Sequence, residues 1–362
     1  MKSKPGLVFV FGGKSIWRST CVLLVCSIVP FPSTARDTTT TSQTAPGEAQ
    51  EASANLSFVR AFSSSDDVTR GHPILGLTLD IIAGPKDPVT RVDALQSPSV
   101  VTTDSRHRVF VADSEAKTVH VFDFTRSKYS RLEGSGGRPL IPISLAVDGR
   151  DNLYVADRST RTVLIYDSAG KFSGYLGKLR GGESYFESPA GIAIDRNTGR
   201  IYVSDTLRHM VIIMDERGQL IAKIGKRGGG DQSGEFKLPG QVVVGRGELI
   251  VLDAGNTRIQ ILDSAGHFLR MINLAWADNR TGLAVDDQSN IYVSDPELNQ
   301  IQVFSREGRP LYVFDPTTIE GANFSHPLGM WVDAGYCLYV VDSRSHRVGL
   351  FQISGQNAHR CQ

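Results

Sequence analysis

The chain has 362 residues, 40% of them apolar and 21% charged, a balance that excludes a disordered, collagen-like or multi-span membrane protein. Its 36 glycines against 5 methionines point to β-structure rich in turns. A net charge of +1 gives no electrostatic case for nucleic acid.

Residues 1–35 hold Lys2, Lys4, Lys14 and Arg18 and no acid. The apolar run Cys21–Val29 follows, and Ser33-Thr-Ala35 places small residues where a signal peptidase cuts. This order reads as a secretory signal peptide cleaved near Ala35, with a secreted or periplasmic product. An uncleaved anchor ranks behind it, because the apolar core is far shorter than the roughly 20 residues a spanning helix needs. Cys26 as a lipid-attachment site ranks lower still, since Val25 before it is not small. Without those four cations the basic residues fall from 39 to 35 against 38 acids, so the mature chain is near −3. It would carry no transmembrane helix, and a monomer is expected. Residues 36–55 are Thr- and Ser-rich with almost no bulky apolar side chains, and read as a disordered spacer. Residues 56–76 form an N-terminal extension in which 56–62 is a candidate extra strand.

From there one phrase recurs six times: Val109-Phe-Val-Ala-Asp113, Leu153-Tyr-Val-Ala-Asp157, Ile201-Tyr-Val-Ser-Asp205, Leu249-Ile-Val-Leu-Asp253, Ile291-Tyr-Val-Ser-Asp295 and Leu338-Tyr-Val-Val-Asp342. The intervals between the aspartates are 44, 48, 48, 42 and 47 residues. Such a period marks a solenoid or propeller. Each phrase is preceded by a short apolar run such as Gly191-Ile-Ala-Ile-Asp195 and followed by alternating runs such as Ile259-Gln-Ile-Leu262. Turn signals separate these runs, and no segment shows a sustained 3.6-residue period. Four antiparallel strands per repeat make one propeller blade, so an all-β, six-bladed β-propeller over 77–353 is predicted. After Val348-Gly-Leu-Phe351 the last blade lacks its fourth strand. Residues 77–83, Leu-Thr-Leu-Asp-Ile-Ile-Ala, are predicted to supply it and so remove an exposed sheet edge. Residues 354–362 are a tail. Cys337 and Cys361 are the cysteines beyond the signal. A disulfide pinning the tail and two free thiols both remain open.

Ser188-Pro-Ala-Gly-Ile-Ala-Ile-Asp195, Asp253-Ala-Gly-Asn-Thr-Arg-Ile-Gln-Ile261 and Asp342-Ser-Arg-Ser-His-Arg-Val348 together resemble the NHL-repeat six-bladed propellers. The fourth repeat departs at Gly245, where the others carry aspartate. The resemblance implies a binding or scaffold platform. Its alternative is a lyase- or lactonase-type propeller enzyme with zinc or calcium in the central channel.

The turn aspartates Asp113, Asp157, Asp205, Asp253, Asp295 and Asp342 recur in every repeat, as residues capping backbone N–H groups would. Asp104, Asp148, Asp195, Asp286 and Asp333 read the same way at the opposite ends of the inner strands. Zinc needs three converging ligands. The inner strands start Ser99-Val, Ile143-Ser, Ala190-Gly, Gly240-Gln, Thr281-Gly and Leu328-Gly, without a histidine. This leaves His209, His326 and His346 as candidates in the turns and loops. No nucleophile elbow or His-Glu-x-x-His motif occurs. Gly228–Gly234 lacks the helix that a phosphate loop requires. The turns between second and third strands carry Lys117, Arg158, Arg161, Arg208, Arg258, Arg344 and Arg347 against Glu115 and Glu297. They share a face with the inter-blade loops, which add Lys178, Arg180, Lys226 and Arg227. Arg258 and Arg347 are expected to pair with the turn aspartates. The face as a whole is predicted to take a protein or an anionic polysaccharide without catalysis. Its turns lack the aromatic residues that single-stranded nucleic acid requires.

Overall fold

The computed structural model describes residues 56–69 and 93–353, apart from 180, 182, 279 and 320, together with Cys361. It is a six-bladed β-propeller with four antiparallel strands per blade. Blade 1 contains β2 (Pro98–Thr103), β3 (Val109–Asp113), β4 (Thr118–Asp123) and β5 (Lys128–Leu132). Blade 2 contains β6 (Pro142–Val147), β7 (Leu153–Asp157), β8 (Thr162–Tyr166) and β9 (Phe172–Leu176). Blade 3 contains β10 (Pro189–Ile194), β11 (Ile201–Asp205), β12 (Met210–Met214) and β13 (Leu220–Gly225). Blade 4 contains β14 (Pro239–Gly245), β15 (Glu248–Asp253), β16 (Arg258–Leu262) and β17 (Phe268–Asn273). Blade 5 contains β18 (Leu283–Val285), β19 (Ile291–Asp295), β20 (Gln300–Phe304) and β21 (Pro310–Phe314). Blade 6 contains β22 (Pro327–Val332), β23 (Cys337–Asp342) and β24 (Arg347–Ile353), with β1 (Leu56–Phe62) outermost. Among the described residues the only α-helix is the single turn Asp66–Thr69.

The outer place in blade 6 is therefore held by 56–62, which pairs antiparallel with β24 from Leu56↔Ile353 to Phe62↔Val348. Residues 77–83, expected there, lie outside the described residues. Aromatic anchors distinguish the strand that fills the place. The Phe58 ring lies 5.6 Å from Phe351, and Phe62 lies 4.9 Å from Phe122 and 5.1 Å from Phe124 of blade 1.

The apolar side chains fall into six clusters, each spanning two neighbouring blades. Strand alternation gives each sheet two apolar faces, and each face packs on the next blade as in a sandwich. The cluster containing Phe62, Val109, Phe122, Tyr339 and Leu350 joins blade 6 to blade 1 and closes the ring.

Five inner strands begin with proline: Pro98, Pro142, Pro189, Pro239 and Pro327. Proline has no N–H for the ladder, and the register slips just after each one. The shift lets the strand start swing inward. Glycine then permits close approach: a Cβ at Gly191, Gly282 or Gly329 would run into the backbone oxygen of Gly240, Leu328 or Ser99 on the next blade. The inner strands thus crowd together near the face that carries the inter-blade loops.

Candidate functional site

On that face each second strand ends in its repeated aspartate, and the carboxylates are turned into the fold. Asp113 accepts N–H bonds from Gln96 at 2.6 Å and Ala116 at 2.9 Å. Asp157 accepts from Ile141 at 2.7 Å, Asp205 from Ser188 at 2.9 Å and Asp253 from Lys237 at 2.7 Å. Asp342 accepts from Ser325 and Ser345, both at 3.2 Å, and Asp295 from Leu298 in its own turn at 3.0 Å. In four blades, those of Asp113, Asp157, Asp253 and Asp342, the aspartate bonds both its own turn or strand and the loop that enters the same blade's inner strand, while Asp205 bonds the entering loop. Burial acts to raise the Asp113 carboxyl. Hydrogen bonding from His120, Ala116, Gln96 and Ser97 outweighs it and keeps the carboxyl below its ordinary value.

Three of the seven predicted cations are tied to this framework. Arg258 is buried; its Nε donates to Asp253 at 2.7 Å, and its outer nitrogens donate to the carbonyls of Asp231, Gln232 and Glu235. Arg347 spans Asp342 and the carbonyls of Ala322 and Asn323. Arg208 donates to the carbonyl of Tyr185 and lies 3.6 Å from Asp205 and 3.7 Å from Glu187. Lys117, Arg158, Arg161 and Arg344 are exposed, and among the described residues no carboxylate lies within ion-pair distance of them. They stand on blades 6, 1 and 2, which are consecutive in the ring. Exposed Glu115 shares the turn of Lys117. Of the loop cations, Lys226 pairs with Glu235 at 2.7 Å and Lys178 sits over the Tyr175 ring, while Arg180 lies outside the described residues. On blades 3 and 5 the same face presents Leu207 and Leu298, 56% and 64% exposed.

The three candidate histidines serve loop backbone or stand at the surface. His209 Nδ1 accepts the Leu238 N–H at 3.0 Å, and His326 Nδ1 donates to the Pro296 carbonyl at 3.2 Å. His346 is exposed at a left-handed turn position. Among the described residues no group of three or more His, Cys, Asp or Glu side chains is placed to hold a metal ion. A histidine the sequence reading passed over, His120, is fully buried beside Asp113, 3.6 Å away, and hydrogen-bonded to the Tyr129 hydroxyl at 2.7 Å. Cys337 and Cys361 form a disulfide with Cα atoms 5.7 Å apart.

A further concavity lies at the other end of the ring. A cavity of about 450 Å³ runs along the central channel and opens toward the turns between first and second strands. That end is opposite the crowded inner-strand starts and the basic loop face. Its lining is mixed: Val101, Leu145, Ile192, Val242 and Met330 of the inner strands, packed largely between blades, line it together with Ser144 and Gln241. Arg196, Arg246, Asp287 and Trp331 stand at its mouth. The fourth blade's departure from aspartate shapes this rim. Arg246 and Gly247 both have positive φ, 46° and 76°, and close a two-residue hairpin between paired Gly245 and Glu248. Gly245 is needed because a Cβ there would press on the Val285 side chain. The sequence signal for this rim was Gly245 itself. Arg196 and Trp331 carried none, because a strand-end residue reveals its direction only once the blades are assembled.

Comparison with known proteins agrees with the architecture. A family model described as a 6-bladed beta-propeller matches residues 193–302. No curated protein matches the chain. Among solved structures, catalytically inactive virginiamycin B lyase from Staphylococcus aureus with quinupristin is similar at 11% identity and a TM-score of 0.51, covering 71% of this chain and 80% of that one. A streptogramin B lyase is similar at 11% identity and a TM-score of 0.53, covering 72% and 94%. A protein of unknown function from Bacteroides thetaiotaomicron is similar at 13% identity and a TM-score of 0.55, covering 72% and 70%. At these identities the likeness is one of fold. Among the described residues no helix is long and apolar enough to cross a membrane.

Proposed function

We propose that the chain is an exported NHL-type propeller that works as a non-enzymatic binding platform, with its loop face receiving an acidic protein. The observation carrying this reading is the set Lys117, Arg158, Arg161 and Arg344, exposed and without carboxylate partners among the described residues, on three consecutive blades. Cations left free on a rigid ring attract and orient an anionic partner without needing to rearrange. Exposed Leu207 and Leu298 on the same face favour a protein over a polysaccharide, since they offer apolar contact beside the charge. The pairings of Asp253 with Arg258 and Asp342 with Arg347 support the NHL assignment, because they use the aspartate and arginine of the repeat pattern. The Cys337–Cys361 disulfide supports export, as such bonds persist in oxidising compartments. Hydrogen–deuterium exchange with polyglutamate as an acidic chain tests the surface. Protection should appear in the turns 114–117, 158–161 and 343–346. Protection confined to the opposite face would overturn the reading.

A further inference from the structure

The mouth of the channel holds two arginines that the loop-face reading does not use. Arg196, just after β10, reaches across two blades. Its Nε donates to the Val147 carbonyl at 3.2 Å, and one terminal nitrogen donates to the Thr103 carbonyl at 3.0 Å. Its guanidinium lies 5.7 Å from the Trp331 ring of blade 6, whose indole N–H donates to Thr103 Oγ1 at 2.8 Å. Arg246 of blade 4 donates through Nε to the Asp287 carbonyl at 2.7 Å. Both arginines are thus held by neutral carbonyl oxygens. Among the described residues neither has a carboxylate within ion-pair distance. Elsewhere in the ring Arg108, Arg258, Arg270 and Arg347 each have one.

Of the nearby carboxylates, Asp287 is exposed at the mouth and forms no ion pair with Arg246, and the others are committed to other donors. Asp104 accepts from the Arg106 and Arg108 N–H groups and from Arg108 Nε. Asp148 is held by Arg150 and Asn152, and Asp151 by Ser105 and Arg106. Asp195 is held by Asn197 and Thr198, and Asp286 by Gln288, Asn290 and Tyr292. Arg196 keeps open surface toward the cavity, yet the protein around it shields it enough to push its pKa below the ordinary value. That shielding acts against Asp151, Asp104 and Asp148, which raise it. Carbonyl bonds satisfy N–H groups without neutralising charge, and two of the five N–H donors of Arg196 are used. A planar donor fork at the lip of a cavity suits a bidentate anion.

We propose that the channel binds an organic anion, its apolar body between the inner strands and its carboxylate or sulfonate on Arg196 and Arg246. A cavity of about 450 Å³ is of the size that holds small molecules. Carbonyl-anchored guanidiniums are already in place, so the ligand finds its counter-charge preorganised. The site is independent of the loop face, which lies at the other end of the ring.

The probe is 1-anilinonaphthalene-8-sulfonate, an apolar body with one anionic group, followed by fluorescence on the folded protein. One saturable site is expected, displaced by octanoate and at least about tenfold less well by octanol. Arg196→Gln and Arg246→Gln should each weaken octanoate by about tenfold, and Lys117→Gln, on the opposite face, should leave it unchanged. If Arg196→Gln does not fold, Arg246→Gln decides the matter. The proposal is overturned by absence of a saturable site, by octanol competing as well as octanoate, or by wild-type affinity in the folded arginine variants.

Discussion

Replacing Phe62 with alanine probes the strand that closes the ring. Phe62 is 2% exposed and belongs to the apolar cluster shared by blades 6 and 1. Its ring lies 4.9 Å from Phe122 and 5.1 Å from Phe124, both in blade 1. Truncating a buried phenylalanine costs about 3–5 kcal/mol, including the cavity it leaves. Each aromatic pair contributes about 0.5–1.5 kcal/mol of that. For a domain of this size about 4 kcal/mol lowers Tm by about 10 °C. Calorimetry of Phe62→Ala, Phe122→Ala and the double variant reads both the loss and the coupling. The double variant should be less destabilised than the sum of the singles by about 1 kcal/mol. Leu220→Ala, at an exposed position on an outer strand, should change Tm little. A fall of less than about 3 °C for Phe62→Ala, with no coupling to Phe122, would refute the closure of blade 6 by residues 56–62.

Other outcomes follow from named contacts. Arg258→Met strips a buried charge partner from Asp253 and should cost about 3–5 kcal/mol in urea unfolding, whereas Arg158→Met should stay within about 0.5 kcal/mol. Cys361→Ser opens a loop with a sequence separation of 24 and should cost about 3 kcal/mol, an effect that reduction of the wild type should reproduce. Glu248 bridges blades 4 and 5 through Arg270 at 2.6 Å and Arg306 at 2.7 Å. Burial raises its carboxyl, but the hydrogen bonds and charges of Arg270 and Arg306 outweigh this, so its folded pKa is depressed. Its stabilisation is therefore complete above the unfolded pKa of about 4.3 and is lost as pH falls through the folded value. Urea midpoints between pH 5 and 2 should fall less steeply for Glu248→Gln than for wild type. Equal slopes would remove Glu248 from the acid transition.

The repeat made the fold legible because each blade spells its own strands and turns locally. The bonds of Asp157 to Ser159 and Thr160 follow from near neighbours in its turn, whereas those of Asp205 to Ser188 and Asp253 to Lys237 depend on the loop each blade brings back to its second strand. Long-range choices were less legible. Both 56–62 and 77–83 have strand composition, and the outer place of blade 6 went to the segment whose Phe58 and Phe62 meet Phe351 and Phe122 across blades. The charge pattern on the loop face was visible. Its division into inward arginines such as Arg258 and outward ones such as Arg158 depends on which carbonyls the loops bring near. At the inner-strand starts glycines let backbones close together. The opposite end, with Arg196 and Arg246, is open.

The proposed binding of an acidic partner by the loop face rests on four cations. The most direct test titrates polyglutamate against the wild type and against a variant with Lys117, Arg158, Arg161 and Arg344 all changed to glutamine. The screening length shortens from roughly 10 Å at 0.1 M salt to roughly 3 Å at 1 M. Wild-type binding should weaken steeply over this range, and the variant should bind at least about tenfold more weakly and without salt dependence. Equal affinities and equal salt dependence for the two proteins would contradict it.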